Sequence, residues 1–252
     1  MSFWKEKVFA SAIHLVISTG ILAFVVWLLF RAWYSNIYLE VSSGHELFLL
    51  LLAVNLCSGP LITLVIYNRA KPRSEMRMSL ALVGLLQLVL MAYGSWTIFE
   101  ARPVHLIFEY SRLVIVHAAE IDPLTLQQAP LTLQKLPFNG PTLLSLRPFK
   151  NADEQLQSTM MALNGVPQSM QPALWQSWDS ARASILKESK PVSELVGRFA
   201  EKSALIEKSI NATGRQTDQL RYLPLLVRKT GWTALIDVNS TEPVSFFPLD
   251  SF

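Results

Sequence analysis

Three uncharged apolar stretches, Ser11 to Phe30, Leu47 to Tyr67 and Ser79 to Phe99, fill most of the first hundred residues. Each holds about 20 residues, which at about 1.5 Å per residue spans the roughly 30 Å hydrocarbon core of a bilayer. Backbone groups in lipid have no water to bond, so each stretch is expected to be a transmembrane helix. Flanking Lys and Arg give the orientation, because positively charged loops stay in the cytoplasm. Lys5 and Lys7 precede the first stretch, and Arg69, Lys71, Arg73 and Arg77 lie between the second and third, whereas Arg31 follows the first alone. The amino terminus and the second loop are therefore expected in the cytoplasm, and everything after about residue 100 on the far side, which in a bacterium is the periplasm. Trp33, Tyr34 and Tyr38 are placed at the outer headgroup boundary, and Trp4 and Tyr67 at the inner one.

The 252 residues are 51% apolar with a net charge of +3, but neither property is spread evenly. Residues 1–99 carry seven Lys or Arg against four Asp or Glu, while residues 100–252 carry fifteen of each. The basic excess is a topology signal, and the neutral second part offers no basic face for nucleic acid. Two modules follow: a three-helix transmembrane domain at 1–100 and a periplasmic α+β domain at 101–252. Cys57 is the one cysteine and lies mid-span, so no disulfide forms within one chain. The first apolar run exceeds the roughly 7 to 15 residues of a signal-peptide core, and no small-x-small site follows it, so it is expected to remain attached.

Asn55-Leu56-Cys57-Ser58-Gly59-Pro60 interrupts the second apolar stretch. Pro60 lacks a donor and clashes with the carbonyl four residues earlier, so a kink is expected, with Ser58 or Asn55 bonding the freed groups. Asn55 has a second reading, in which a polar side chain in lipid meets a partner helix and small neighbours allow close approach. His14 reads as a packing or interfacial residue. Gln87 is the strongly polar mid-span side chain of the third stretch, and Gly84 and Gly94 are too far apart for a GxxxG motif.

After Arg102-Pro103 breaks the third helix, Val104–Tyr110 and Leu113–Ala118 read as a hairpin with Val104, Leu106, Phe108 and Tyr110 on one face. Asp122-Pro123 predicts an N-cap and first helical residue, with a short extended piece expected at Thr142–Leu146. The middle is helical. Asn151 starts one helix that stops at Asn164-Gly165, Pro172 opens a second carrying Leu174, Trp178, Ala181 and Ile185, and Pro191 opens a third carrying Leu195, Phe199, Ile206 and Ile210. Leu220–Lys229, Trp232–Val238 and Val244–Leu249 close the chain as an antiparallel meander, with Pro224 at an edge or bulge. The apolar end from Phe246 to Phe252 either docks on the domain or offers a strand to a partner.

Catalytic motifs are missing: there is no HExxH, GxSxG, phosphate loop or dinucleotide fingerprint. His105 and His117 sit on the two hairpin strands without the further ligands a zinc site needs. No cofactor or metal is expected, and the chain is read as a non-enzyme. A transporter would need charged groups in the membrane helices, and these have none.

The order of Gly59-Pro60-Leu61-Ile62-Thr63-Leu64, Ala101-Arg102-Pro103-Val104, Phe108-Glu109, Ile121-Asp122-Pro123, Tyr222-Leu223-Pro224-Leu225, Trp232 and Pro248-Leu249-Asp250-Ser251-Phe252 resembles the type IV pilin accessory proteins of the TfpX/TfpZ type. The resemblance covers nearly the whole chain, with Asn55 where an acidic residue is frequent and Ser251 where glycine is usual. It implies an inner-membrane accessory factor that promotes assembly or modulates the dynamics of type IV pili. It brings no catalytic residues. A pilin subunit has a hydrophobic helix in the bilayer and a head in the periplasm, so a protein of the same layout is expected to bind both in a chaperone-like way. The expected partner-contacting residues are Asn55, Gly59 and Pro60 in the membrane and Phe247 and Phe252 in the domain. Partners are then a pilin, the pilus assembly platform and membrane lipid, and the alternative is a membrane-anchored periplasmic enzyme or regulator of cell-envelope assembly.

Overall fold

The computed structural model describes residues 3–33, 38, 44–68, 70–227 and 230–252. Tyr34, Arg69 and Lys229 lie outside the described residues. The chain forms two compact units, one of residues up to Ala101 and one of Arg102–Phe252 together with Tyr38.

Among the described residues the first unit has three helices, α1 (Phe3–Trp33), α2 (Gly44–Ile66) and α3 (Arg73–Glu100), all long and apolar enough to cross a membrane. At their starts all three, and at their ends α1 and α3, run past the uncharged stretches, because flanking Lys, Arg and Glu are good helix formers. The central helix is α2, which packs along both others, whereas α1 and α3 scarcely touch. Phe30 stacks on Phe48 with ring centroids 4.0 Å apart, and Trp33 tilts against Phe99 at 5.0 Å, so aromatic contacts tie one end of the unit together. The helix α2 continues through Pro60. The side chains expected to bond the freed groups do other things: Asn55 Nδ2 donates to the Leu51 carbonyl at 2.9 Å, and Ser58 Oγ is buried without a partner among the described residues.

In the second unit, the described residues form eight strands in one mixed sheet: β1 (Pro103–Glu109), β2 (Arg112–His117), β3 (Thr142–Leu146), β4 (Trp175–Ser177), β5 (Lys190–Pro191), β6 (Leu220–Val227), β7 (Thr230–Asp237) and β8 (Pro243–Phe247). The order is β4-β3-β1-β2-β6-β7-β8, with β5 beside one end of β6. The predicted hairpin and meander are both present, joined edge to edge by a parallel pairing of Leu113 and Val114 with Leu225 and Leu226.

Both faces of this sheet are covered, which is why β1 and β2 read as nearly continuous apolar runs. Leu106, Phe108, Leu113, Ile115, Leu223, Leu225, Ala234 and Ile236 face Trp178, Ala181 and Ile185 on one side. On the other side, Ile107, Val114, Val116 and Leu144 pack with Trp175 and the 118–136 segment. There too, Leu220, Tyr222, Leu235 and Phe247 pack under the helices α7 (Val192–Arg198) and α8 (Ser203–Ala212), which follow α4 (Pro123–Leu126), α5 (Ala152–Leu163) and α6 (Arg182–Glu188). The caps form as predicted: Asp122 accepts from the Leu124 N–H, Asn151 from the Glu154 N–H, and α5 gives way at Gly165 with φ +93°.

Several expectations are corrected. Val104 lies on the opposite face from Leu106 and Phe108, because a register shift between Pro103 and His105 inserts an extra residue and flips it. The helix predicted from Pro172 is broken by β4, since pairing of Trp175–Ser177 with β3 captures the backbone there. Pro224 sits inside an inner strand, in the gap between the β5 and β2 partners where no ladder donor is needed on that side. Apart from these corrections, Tyr38 packs edge-on against Phe246 at 5.5 Å, and burial pushes its hydroxyl pKa up to about 12.

Candidate functional site

A polar network runs through the interior of the three-helix unit. On α1, Ser11, His14 and Ser18 recur at i, i+3 and i+7 and so share one face. That face meets α2, where Ser11 Oγ donates to the Pro60 carbonyl at 2.8 Å and His14 Nδ1 lies 2.5 Å from Thr63 Oγ1. From α3, Gln87 supplies the hub. Its Nε2 donates to the Asn55 carbonyl at 3.0 Å, which fixes the amide orientation and leaves Oε1 as an acceptor for Ser18 Oγ at 3.2 Å and His14 Nε2 at 2.7 Å. Since Oε1 accepts only, His14 Nε2 is the donor to it, and the Thr63 hydroxyl, which can donate or accept, meets Nδ1. Five side chains from three helices are thus joined without any Asp, Glu, Lys or Arg, the arrangement a lipid environment favours.

Gly59 makes this possible. A Cβ there would lie 2.6 Å from Gln87 Oε1 and 2.8 Å from its Cδ, so only glycine lets the amide pass. Gly59→Ala is expected to displace Gln87 and break its three bonds, at about 0.6 kcal/mol each, lowering bundle stability by about 2 kcal/mol. Reversible unfolding in detergent measures this. The double variant with Gln87→Ala should be no less stable than Gln87→Ala alone, because the amide that the added methyl strikes is gone.

The five expected contact residues divide unevenly. Asn55, Gly59 and Pro60 are all buried inside the first unit, Asn55 at 2% exposure. Phe247 is buried under α7 and α8, and only Phe252 is open, at 49% exposure. The last residues are docked: Thr233 Oγ1 donates to the Leu249 carbonyl at 2.6 Å, Arg198 Nη1 to the Ser251 carbonyl at 3.1 Å, and Arg198 Nη2 to the Phe252 carbonyl. In the sequence His14 and Gln87 stand out as single polar residues, whereas Ser11, Ser18 and Thr63 do not stand out. The signal that would have found them is the shared face of the α1 residues, at a depth that antiparallel neighbours can match.

The second unit has a surface groove of about 550 Å³ at one end of the sheet, lined by Tyr110 and Ser111 of the hairpin turn and by Arg147, Gln176 and Glu188. Arg147 is committed elsewhere, holding Glu154 through two bonds of 2.9 and 2.6 Å. His105 is buried, with Nδ1 2.7 Å from Thr142 Oγ1 and its ring edge-on to Trp175. His117 Nδ1 lies 3.0 Å from Glu120 Oε2. Among the described residues no three His, Cys, Asp or Glu side chains come together to hold a metal.

The chain is similar along nearly all its length to two proteins of Dichelobacter nodosus. They are a fimbrial assembly protein of serogroup I, 29% identical, and one of serogroup E1, 28% identical, each over 231 residues that make up 91% of this chain and 90% of the relative. A third, the fimbrial assembly protein of serogroups C1 and C2, is 32% identical over 111 residues, 44% of this chain and 85% of that protein. The chain belongs to the fimbrial assembly protein family. No protein-family model and no solved structure matches it. For a fimbrial assembly protein the two-unit build is informative, because the shared 231 residues exceed either unit and so include parts of both.

Proposed function

We propose that this protein is a non-catalytic inner-membrane factor in type IV pilus assembly that binds a pilin subunit reversibly. The observation that carries the reading is the similarity across both units to proteins called fimbrial assembly proteins. The Lys and Arg flanks support a cytoplasmic amino terminus and a periplasmic Arg102–Phe252 unit. Such a layout faces a pilin in both compartments, its helix in lipid and its head outside. On the periplasmic side, β8 ends the sheet and offers an edge for strand addition. Binding is reversible because a subunit held too firmly never enters a filament. Deleting the gene in its pilus-bearing host should abolish surface pili while pilin remains in the inner membrane, and a photocrosslinker at Phe252 should capture the pilin head. Normal piliation in the deletion strain overturns the reading.

A further inference from the structure

We infer that the cleft between α1 and α3 is the seat of a fourth transmembrane helix, supplied by a partner chain, which brings one side-chain hydrogen-bond donor to Asn55. Between α1 and α3, which make few contacts with each other, lies a cleft of about 220 Å³. Its α1 wall recurs at i, i+3, i+4, i+7 and i+8 from His14, and its α3 wall at i, i+3, i+4 and i+7 from Gly84. These are the rows by which helices pack on one another, and apart from the bonds of His14 and Ser18 to Gln87 the two helices leave them unfilled. A second cleft of about 410 Å³ shares His14, Ile17 and Gly84 and continues the groove to Ala10. From Ala10 to Leu22 it runs about 18 Å along α1, more than half of a bilayer core.

The wall is small where close approach is needed: a Cβ at Gly84 would meet nothing within 4 Å. What selects a helix over an acyl chain is the cleft's Asn55 lining. Asn55 Nδ2 is used by its own helix, but Oδ1 is buried and has no partner among the described residues. The other amide in the cleft, Gln87, has both ends engaged. Asn55 also borders a cleft of about 380 Å³ between α2 and α3, and in either apolar setting an unpaired acceptor asks for an O–H or N–H donor, which a hydrocarbon chain lacks and a Ser, Thr, Asn or protonated carboxyl side chain on a helix supplies. On the reading above, that helix is the membrane helix of the pilin.

The test places a photocrosslinking residue at Leu88, on the cleft wall, or at Leu85, on α3 outside it, in the full chain in cells making pili. Position 88 should give an adduct to a membrane segment of another protein, and position 85 only lipid. Asn55→Leu should lower the adduct about tenfold, equivalent to one hydrogen bond. Gly84→Leu, whose Cβ meets nothing within 4 Å, projects into the cleft and should remove the adduct, whereas Gly20→Leu, whose Cβ is equally unobstructed but outside the cleft, should keep it. Lipid adducts alone at position 88, an adduct to a second copy of this chain, or an undiminished adduct in the Gly84→Leu variant each overturn the inference. Pilin captured from position 252 but not from 88 overturns the cleft and leaves the pilin reading standing. A different single-span protein captured from 88 upholds the cleft and overturns the pilin reading.

Discussion

Trp175→Ala should cost the Arg102–Phe252 unit about 4 kcal/mol, since removing a fully buried tryptophan ring deletes its burial and leaves a cavity. Trp175 is 1% exposed, and it packs with Ile107, Val114, Val116 and Leu144 against the sheet. Its Nε1 donates to the Ser169 carbonyl at 2.9 Å, and His105 meets its ring edge-on at 4.7 Å. It also pairs with Leu146 at the outer strand. One side chain thus fixes a strand, a loop and a histidine. A loss of this size is a large fraction of the 5 to 15 kcal/mol typical of a domain, so the variant should accumulate poorly and be cut within the second unit by added protease. Trp175→Phe keeps most of the ring and loses the N–H, so about 1 kcal/mol is expected from the missing bond. Thermal unfolding of the full chain in detergent separates the two. An Ala variant as stable as the Phe variant would remove Trp175 from the role assigned to it.

A second large effect is acid sensitivity centred on His105. Burial lowers its pKa from 6.5 to about 4, because the imidazolium would be stripped of water between β1 and Trp175. The folded pKa lies below the unfolded one, so the unfolded chain binds the proton more readily. The contribution to stability is therefore complete above pH 6.5 and lost progressively as pH falls through 4, to a total of about 3 kcal/mol. Below that, Glu154 adds a further loss. The Arg147 guanidinium and the Lys150 N–H hold its carboxyl at about 2 against an ordinary 4.5, so its contribution is present above pH 4.5 and disappears as pH falls toward 2. Unfolding measured between pH 7 and 3 should show a steep decline that His105→Phe flattens between 6.5 and 4. A parallel decline in the variant would assign the sensitivity to other groups.

The membrane helices were legible because length without charge is a nearly sufficient signal in lipid, and the caps at Asp122 and Asn151 because a short side chain bonding an orphan N–H is a local event. The three terminal strands were legible from their turns. What escaped the sequence depends on partners far along the chain. Val104 changed faces through one extra residue, which no alternation pattern reveals. Trp175–Ser177 left helical periodicity because β3 pairs with it. The candidate site was half legible: Asn55 and Gly59 stood out as polar and small residues in an apolar run, but their neighbour Gln87 comes from another helix. Asn55 was expected to face a partner, and the orphan Oδ1 keeps that open while its burial moves the contact to a cleft floor.

The parallel pairing of β2 with β6 sets a schedule for synthesis. Leu113 waits for Leu225, more than a hundred residues later. A hairpin such as β1–β2 closes in about 1 to 10 microseconds, but a ribosome adds only about 5 to 20 residues per second, so roughly ten seconds separate the two strands. Throughout that interval the hairpin has a bare, apolar edge facing solvent, and any unpaired strand in the same compartment competes for it. The rate at which the chain emerges, and the holding factors that meet it, therefore govern how much of this protein reaches its native register.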